Sequence, residues 1–322
     1  MAERIVVSDK LGAAGLDVLR GIGGYEVTDV AGKGPEALEA VLPDAVALVV
    51  RSETKVTAAM IGTAPKLKVI GRAGMGVDTI DVEAASQRRI AVLTAPGANS
   101  NSVAEYTFAL LLALCRKVPA ASASLAAGKW DRKAFEGTEL RGKTLGLIGL
   151  GRIGSLVASI AGGFGMTVIG SDPVFTPDVA TALRVELLSL GELLRRADIV
   201  SLHAKLGPDT RHLLNEARLR AMKRGVLIVN TARGALIDDA ALVKALQDGH
   251  VAGAALDVYD PEPLPADSVL RGAPNLLLSP HQAASAREAQ TRVALEIGEA
   301  VKGFLLTGDL SAAVNRKALG QP

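Results

Sequence analysis

Short apolar runs alternate with helix-length segments along the first hundred residues. Each run is rich in aliphatic or β-branched residues, and polar or glycine-rich residues follow it, as is typical of buried strands. Alanine- and leucine-rich stretches of helical length, such as residues 11–20, lie between the runs. Because strands that alternate with helices form parallel sheets, this pattern predicts an α/β domain. The predicted strands lie at residues 5–7, 47–50, 69–70 and 91–93.

A long apolar segment follows and predicts a helix over residues 101–117. Glu105 stands three residues after Ser102, which is the spacing of a capping box, and Pro119 follows the predicted end. The segment has no polar face wide enough for a surface helix. We therefore expect a core helix at the point where two domains join.

The strand–helix alternation then starts again and continues to about residue 278. A last segment, residues 285–306, has the pattern of one long helix. A chain of 322 residues is also long enough for roughly two domains. We therefore predict a second α/β domain built on a parallel sheet. The predicted strands of this series are 145–148, 167–170, 199–202, 226–229, 252–256 and 276–278.

Composition excludes several classes of protein. The chain is 49% hydrophobic and 22% charged, and its formal net charge of +2 gives no basic footprint for nucleic acid or a membrane surface. Cys115 is the one cysteine, so neither an intramolecular disulfide nor a cysteine zinc cluster is possible, and no two histidines have metal-ligand spacing. No apolar run reaches the length of a bilayer span, about 20 residues, and the N-terminus lacks the apolar core of a signal peptide. We expect a cytoplasmic protein that has no metal, nucleic acid or membrane partner.

The predicted strand at 145–148 leads directly into Gly149-Leu-Gly151-Arg-Ile-Gly154, and a helical pattern follows at once. In a dinucleotide-binding fingerprint the first glycine makes the turn, the second admits the pyrophosphate, and the third lets helix and strand pack closely. The helix N-terminus then offers unpaired N–H groups to the phosphates. Asp172 ends the next strand, where a carboxylate can bind both hydroxyls of the adenine ribose and repel a 2′-phosphate. The sequence therefore predicts NAD rather than NADP.

Two further residues of the fingerprint, Arg152 and Ile153, belong to the predicted cofactor site. For Arg152, two readings stay open: the guanidinium contacts the pyrophosphate, or it points to solvent.

Three polar residues each follow a predicted strand of the second series: Arg233, Glu262 and His281. Ligands bind outside the carboxyl ends of the strands in open α/β sheets, so all three side chains could reach one crevice. Each residue alone has an ordinary structural explanation, such as a satisfied loop histidine or a rigid proline turn. Together with a nicotinamide they supply a base, a carboxylate-binding cation and a hydride acceptor, which the oxidation of a hydroxyacid requires.

These segments resemble the D-2-hydroxyacid dehydrogenase family. Its three signatures match Asn230-Thr-Ala-Arg-Gly, Ala255-Leu-Asp-Val-Tyr-Asp-Pro-Glu-Pro and Ser279-Pro-His in order, so with the fingerprint the resemblance covers essentially the whole chain. The resemblance implies that Arg233 binds the substrate carboxylate, that His281 is the acid/base on the C2 oxygen, and that Glu262 holds the imidazole.

At the nicotinamide end, the same resemblance implies contacts from Asp257 and from the backbone of Thr231 and Ala232. Ala283 is predicted to lie close to the nicotinamide. It also implies a Rossmann-type NAD domain, residues 100–286, inserted in a flavodoxin-like substrate domain, residues 1–99 and 287–322. The cleft would lie between the domains, and the NAD domain would form a homodimer.

Two arginines of the first series, Arg51 and Arg72, follow predicted strands as well. They are either solvated loop charges or the site of a second anion, and guanidinium groups suit phosphate. Gly74 and Gly76 expose backbone N–H groups that could hold a carboxylate.

The segments around these arginines, together with Gly128-Lys-Trp-Asp-Arg132-Lys-Ala-Phe, resemble the phosphoglycerate dehydrogenases within the family. The resemblance implies that Arg51 and Arg72 lie near a substrate phosphate, with Arg132 adding charge. The reaction would be oxidation of D-3-phosphoglycerate to 3-phosphohydroxypyruvate, for serine biosynthesis.

Some features depart from the family pattern. Lys205 stands where proline is usual, and Gln282-Ala283 replaces an apolar residue and a glycine. Many phosphoglycerate dehydrogenases carry a C-terminal regulatory domain, and we expect this chain to lack one. Two alternatives stay open: a reductase of glyoxylate, hydroxypyruvate or another 2-oxoacid, and a non-catalytic NAD-sensing module of the corepressor kind.

Overall fold

The computed structural model describes residues 2–320 of the chain. The chain divides into two compact units: Met1–Asn99 with Ser285–Pro322, and Ser100–Ala284. The strands are β1 Glu3–Val7, β2 Tyr25–Asp29, β3 Ala45–Val50, β4 Val69–Arg72, β5 Ala91–Thr94, β6 Thr144–Ile148, β7 Thr167–Ser171, β8 Val185–Leu187, β9 Ile199–Leu202, β10 Val226–Asn230, β11 Val251–Leu256 and β12 Leu276–Leu278. The α-helices are α1 Ala13–Arg20, α2 Pro35–Val41, α3 Ala58–Gly62, α4 Val82–Gln87, α5 Ser100–Cys115, α6 Val118–Ala126, α7 Arg152–Gly163, α8 Pro177–Ala182, α9 Leu190–Arg196, α10 Glu216–Arg220, α11 Asp239–Gln247 and α12 Arg287–Thr307.

The first unit is a five-stranded parallel sheet in the order β2-β1-β3-β4-β5. Its central strand β3 is buried at every position, which explains its unbroken run of alanine, valine and leucine. Helix α12 belongs to this unit although it comes last in the chain, because it packs along α1. The two helices approach so closely that a Cβ at Gly15 would lie 2.4 Å from the carbonyl oxygen of Ala294.

The second unit is a seven-stranded parallel sheet in the order β12-β11-β10-β9-β6-β7-β8. Strand β6 lies at the point where the strand order reverses, with β9 on one side and β7 on the other. Helix α5 covers this sheet with nine buried residues, including Phe108 and Leu111, and packs against α7. A reversal of this kind opens a crevice at the carboxyl ends of the strands.

These two sheets confirm the predicted fold class. The first has the strand order of flavodoxin-like proteins, and the second extends the Rossmann order by one strand. Strands β2 and β8, each at one edge of its sheet, were not predicted from the sequence. Each is short and only partly buried, so neither has the apolar run by which the central strands were predicted.

The predicted start of the core helix is wrong in detail. Helix α5 begins at Ser100, so Ser102 is a buried residue inside the first turn and makes no capping box. Glu105 accepts a hydrogen bond from the side chain of Asn101 instead. The helix ends at Cys115, and Lys117 adopts a left-handed conformation with φ of 52° before α6 begins.

Among the described residues, no single helix is long and apolar enough to cross a membrane. One bent pair, Ser100–Cys115 and Val118–Ala126, passes the same test by length and composition, with a 60° bend between its members.

Candidate active site

Three neighbouring strands of the second unit lead into the loops that carry the three polar residues predicted for the site. Strands β10, β11 and β12 are adjacent and parallel, so their carboxyl ends meet at one edge of the sheet. Arg233 follows β10, Glu262 follows β11 and His281 follows β12. The topology alone therefore brings the three loops together.

His281 and Glu262 are in direct contact. The imidazole Nδ1 lies 2.6 Å from one carboxylate oxygen of Glu262, and the other oxygen accepts a hydrogen bond from the Tyr259 N–H at 3.0 Å. Because Nδ1 donates to the carboxylate, the second ring nitrogen, Nε2, is the atom that can take up or release a proton. The side chains of His281 and Glu262 are 50% and 36% exposed, so a ligand can reach the pair.

The contact shifts the pKa of both groups in the directions expected for an ion pair. The hydrogen bond from Glu262 raises the pKa of His281 above its ordinary value, and partial burial and the positive charge of Arg233 oppose that rise. Burial opposes ionisation of Glu262, yet the hydrogen bonds from His281 and Tyr259 outweigh it and lower the pKa of that carboxyl. The pair thus favours a protonated imidazole beside a carboxylate.

The segment that carries His281 is fixed by a buried carboxylate. Asp257, at the end of β11, is fully buried and accepts hydrogen bonds from the Ser279 hydroxyl at 2.6 Å and from two backbone N–H groups. These N–H groups belong to Gln282, at 2.9 Å, and to Ala283, at 2.8 Å. Both carboxylate oxygens of Asp257 thus hold the chain on either side of His281. Its predicted contact with the nicotinamide, like that of Ala283, stays a prediction.

Two tyrosines hold the same segment from its sides. The Tyr259 hydroxyl lies 2.8 Å from the Ser279 carbonyl oxygen and 3.0 Å from that of Leu256, and burial raises the pKa of this phenol to about 12. On the other side, the Gln282 side-chain amide donates to the hydroxyl of Tyr106 on α5. His281 therefore lies between Ser279, which is bonded to Tyr259 in the loop after β11, and Gln282, which is bonded to Tyr106 on α5.

Arg233 lies in a turn held by Asn230. The Asn230 side chain accepts from the Ala232 N–H at 3.0 Å and donates to the Arg233 carbonyl at 2.8 Å. The next residue, Gly234, packs directly on the backbone of Tyr259, where a Cβ would lie 2.1 Å from the carbonyl carbon. Glycine is therefore required at 234, and it brings the Arg233 turn against the loop that leads to Glu262.

Thr231, a predicted cofactor residue, is buried and bonded to α5. Its hydroxyl lies 3.0 Å from the hydroxyl of Thr107, which also donates to the Val103 carbonyl. Ala232 beside it is half-buried. This contact fixes the end of β10 against the core helix of the second unit.

The glycine fingerprint is built by close approach of backbone segments. Gly149 has φ of 93°, and a Cβ there would lie 2.7 Å from the backbone of His203. A Cβ on Gly154 would lie only 2.2 Å from the carbonyl oxygen of Gly149. Any side chain at either position would therefore force the turn apart.

The N-terminus of α7 has the geometry of a phosphate-binding helix end. Gly151 is the N-cap, no side-chain hydrogen bond caps the helix among the described residues, and a Cβ on Gly151 would meet no atom within 4 Å. Exposed Arg152 and half-buried Ile153 follow in the first turn. Uncapped N–H groups beside an open glycine face fit the pyrophosphate of a dinucleotide.

Asp172 lies at the end of β7, beside this turn. Its carboxylate accepts from the Leu150 N–H at 2.8 Å and from the Val174 N–H at 2.9 Å. Carboxylate oxygens have further acceptor sites, so ribose hydroxyls can bind there as well. The backbone N–H donors at the start of α7 and the carboxylate acceptor of Asp172 together fit NAD.

His203 is a half-buried histidine beneath the fingerprint. Its Nε2 lies 2.9 Å from the hydroxyl of Ser201, and burial lowers the pKa of the imidazole to about 4. The ring is therefore neutral near pH 7. Because its backbone touches Gly149 and its Cβ faces Gly154, a neutral ring supports the turn without adding a buried charge.

In the first unit, Arg51 and Arg72 lie at the carboxyl ends of the neighbouring strands β3 and β4. Val50 and Arg72 are partners in the register of β3 and β4, and Arg51 directly follows Val50. The loop after β3 is ordered by Asp9, which is buried and accepts hydrogen bonds from the backbone of Arg51 at 2.6 Å and of Thr54 at 3.1 Å. Both arginines are half-buried.

The other predicted substrate residues are Gly74, Gly76 and Arg132. The Arg72 guanidinium donates to the Ala73 carbonyl and lies over Gly74, where a Cβ would come within 2.6 Å of it. Gly76 is half-buried, and Arg132 is exposed before a short 3-10 helix, Lys133–Phe135, in the second unit. Roles for these residues stay predictions.

Several residues that build the site were missed from the sequence. Asp9 follows the predicted strand at 5–7, a position that could have been read as a strand-end carboxylate. Asn230 and Tyr259 stand within the signature segments. The contacts of Asn230 are local, with Ala232 and Arg233, whereas the contact of Tyr259 with Ser279 depends on the pairing of β11 with β12. The Tyr106–Gln282 contact joins residues 176 positions apart and left no signal in the sequence.

Comparison with known proteins agrees with this geometry. Residues 108–283 match the family described as D-isomer specific 2-hydroxyacid dehydrogenase, NAD binding domain. The chain is 48% identical over 312 residues to D-3-phosphoglycerate dehydrogenase of Methanocaldococcus jannaschii, a match that covers 97% of this chain and 59% of that protein.

Solved structures agree as well. A protein from Thermus thermophilus is 41% identical with a TM-score of 0.88, and the match covers 97% of this chain and 99% of that one. A glyoxylate reductase from Paecilomyes thermophila is 30% identical, also with a TM-score of 0.88, over 98% and 99% of the two chains. The chain therefore belongs to the D-isomer-specific 2-hydroxyacid dehydrogenase family, and its second unit contains the NAD-binding domain. It spans about three-fifths of the length of the curated phosphoglycerate dehydrogenases that it matches.

We predict that Gly154→Ala weakens the binding of NADH. The added methyl group would overlap the Gly149 carbonyl oxygen and push α7 away from the fingerprint turn. Titration of NADH fluorescence should show at least a tenfold weaker affinity, about 1.4 kcal/mol. Gly162→Ala is the matched control, since Gly162 is exposed in the same helix and a Cβ there would meet no atom within 4 Å. Unchanged affinity in Gly154→Ala would contradict the assignment of this turn to the cofactor.

Proposed function

We propose that the protein is an NAD-dependent dehydrogenase that oxidises D-3-phosphoglycerate to 3-phosphohydroxypyruvate in the cytoplasm, for serine biosynthesis. The observation that carries the proposal is the His281–Glu262 pair, with Arg233 near enough to lower the histidine pKa, on the unit that holds the dinucleotide fingerprint. A neutral imidazole, a carboxylate partner and a cation are the groups that oxidation of a 2-hydroxyacid requires.

In the proposed reaction, each of these side chains has one task. When bound, NAD supplies the oxidising capacity by accepting a hydride. His281 accepts the hydroxyl proton through Nε2 as the C2–oxygen bond becomes a carbonyl. Glu262 stabilises the imidazolium that results, and Arg233 holds the carboxylate next to C2.

A phosphorylated substrate is supported by sequence similarity and by charge. The curated relatives at 44–48% identity are phosphoglycerate dehydrogenases, whereas the glyoxylate reductase is 30% identical. Fold alone does not discriminate between these activities, because the TM-score to that reductase is also 0.88. In the proposal, Arg51 and Arg72 at the carboxyl ends of β3 and β4 bind the second anion, with Gly74 and Gly76 in the loop after β4, and Arg132 is a further substrate residue.

We also propose that the protein forms a homodimer through the second unit. The apolar residues of α5 are mostly buried within the unit, whereas α6 has no buried residue. Val118 and Leu125 on α6 are 53% and 58% exposed, and Trp130 beyond it is 81% exposed. An exposed apolar patch of this kind is typical of a protein interface.

The test of the reaction is a comparison of substrates. We expect NAD reduction with D-3-phosphoglycerate to exceed that with D-glycerate and D-lactate, and NADH oxidation with 3-phosphohydroxypyruvate to exceed that with glyoxylate and hydroxypyruvate. Arg72→Ala should lower kcat/KM for phosphoglycerate at least tenfold, about 1.4 kcal/mol, while rates with D-glycerate barely change.

Arg20→Ala, at the exposed end of α1, is the charge-matched control and should change neither substrate. Equal or faster rates with glyoxylate or D-lactate would replace the proposal by a general 2-oxoacid reductase. NADH binding without turnover of any substrate would replace it by a non-catalytic NAD-binding module.

The acid/base pair predicts a pH profile. Because Glu262 raises the pKa of His281, the acid limb of kcat/KM for oxidation should lie above pH 6.5 in the wild type. Glu262→Gln removes the negative partner, so the limb should move to lower pH while kcat falls about 10²-fold or more. Steady-state rates from pH 5.5 to 9.5 measure both effects. An acid limb that does not move would contradict the role of Glu262, and Glu288→Gln, in the first turn of α12, controls for loss of charge.

The proposed dimer is tested by a charge in the apolar patch. Leu125→Asp should give a monomer in analytical ultracentrifugation, because an unpaired carboxylate in an apolar interface is costly. Leu306→Asp is the matched control, since Leu306 in the first unit is also 58% exposed. A wild-type monomer, or a dimer that persists in Leu125→Asp, would contradict the proposal.

A further inference from the structure

Of the residues beside His281, Gln282 has the most unusual contact. Its side chain is exposed, yet the amide donates a hydrogen bond to the hydroxyl of Tyr106 in the second turn of α5. Gln282 is also held by its backbone N–H, which donates to Asp257 at 2.9 Å. One residue next to the proposed base is thus fixed at its backbone and at its side chain.

His281 itself has a backbone conformation that needs such support. Its φ is 48°, in the left-handed region that residues with a side chain seldom adopt. Its N–H donates to the Ser279 carbonyl at 3.0 Å in a tight turn. A strained residue keeps its position only if neighbouring contacts determine it, so each bond to residues 279–283 affects where the imidazole lies.

Tyr106 is a rigid attachment point for the turn. It precedes Thr107, whose hydroxyl bonds to Thr231 and to the Val103 carbonyl in the buried interior. Phe108, two residues after Tyr106, lies in the core of the second unit. A hydrogen bond to this helix therefore connects the His281 turn to an element that cannot easily move.

We propose that Tyr106 and Gln282 form a positioning pair that keeps the His281 ring on Glu262. In this proposal the pair takes no part in proton transfer and acts through the position of His281. The kinetic part of this proposal rests on the proposed hydroxyacid dehydrogenase activity, but its structural part does not.

Loss of the Tyr106 hydroxyl should release the Gln282 side chain to water and loosen the turn on one side. Asp257 and Tyr259 would still hold residues 279 to 283, so the protein should stay folded. The imidazole would then spend less time at 2.6 Å from Glu262, and its pKa should fall toward the ordinary value. The other groups that act on His281 are Asp257, which also raises its pKa, and Arg233, which lowers it.

The first arm of the test is an NMR titration of the histidine rings, labelled with carbon-13. The chain has only four histidines, and His281→Gln assigns the resonance of interest. Tyr106→Phe should lower the pKa of His281 toward its ordinary value. Tyr25→Phe is the matched control, because the Tyr25 hydroxyl lies in the other unit, where it contacts the Leu305 carbonyl oxygen at 3.5 Å and the side chain of Glu3.

The second arm is a double-mutant cycle on kcat with Tyr106→Phe, Gln282→Leu and both changes together. Each single variant should lower kcat about three- to tenfold, and the double variant should be no slower than the slower single one. The affinity for NADH should change less than kcat, because neither substitution lies in the fingerprint turn, residues 149–154.

The two arms separate this proposal from the proposed function. A His281 pKa that does not move in Tyr106→Phe overturns the positioning pair, whether or not the protein turns over any substrate. A lowered pKa together with non-additive kcat supports it. Fully additive effects on kcat, or a loss confined to KM, would overturn it in an active enzyme. If the wild type is inactive, the proposed dehydrogenase activity fails and the titration alone decides the structural claim.

Discussion

The buried carboxylate of Asp257 is the interaction on which the candidate site depends. A carboxylate without contact to water is tolerated only where hydrogen bonds replace the water, and here Ser279, Gln282 and Ala283 supply them. Because Asp257 directly follows β11 and its donors follow β12, the carboxylate joins the ends of two neighbouring strands. Glu262 lies five residues after Asp257, so the same element that anchors the His281 turn also leads to the partner of His281.

Close backbone approaches set the other half of the site. No side chain stands at Gly149 or Gly154, so the turn of the fingerprint, α7 and the end of β9 pack directly on one another. Gly234 allows the same close packing between the Arg233 turn and Tyr259. A dinucleotide and a hydride donor must meet with little tolerance in position. Backbone contacts that exclude even one methyl group provide this precision more firmly than flexible side chains could. His203 adds support there because burial keeps its ring neutral.

Much of this arrangement could be predicted from sequence because it follows from topology. Buried central strands such as β3 are visible as apolar runs, and parallel strands put Arg233, Glu262 and His281 at one edge. The edge strands β2 and β8 left too little apolar pattern, and the capping box at Ser102 failed because the true start of α5 lies two residues earlier. Contacts such as Tyr106–Gln282 and Tyr259–Ser279 join residues 176 and 20 positions apart, and no local pattern contains them.

The charges around His281 oppose one another in a way that suits an acid/base. Glu262 and Asp257 raise its pKa, and Arg233 and partial burial lower it, so the net rise is smaller than the carboxylates alone would give. A base with a pKa far above neutrality would stay protonated and could not accept the hydroxyl proton, and one far below could not return it. Arg233 thus has a second effect besides the one proposed for the substrate carboxylate. A substrate carboxylate on Arg233 would offset its positive charge and raise the pKa of His281 further, so the base becomes stronger when the hydroxyacid is in place.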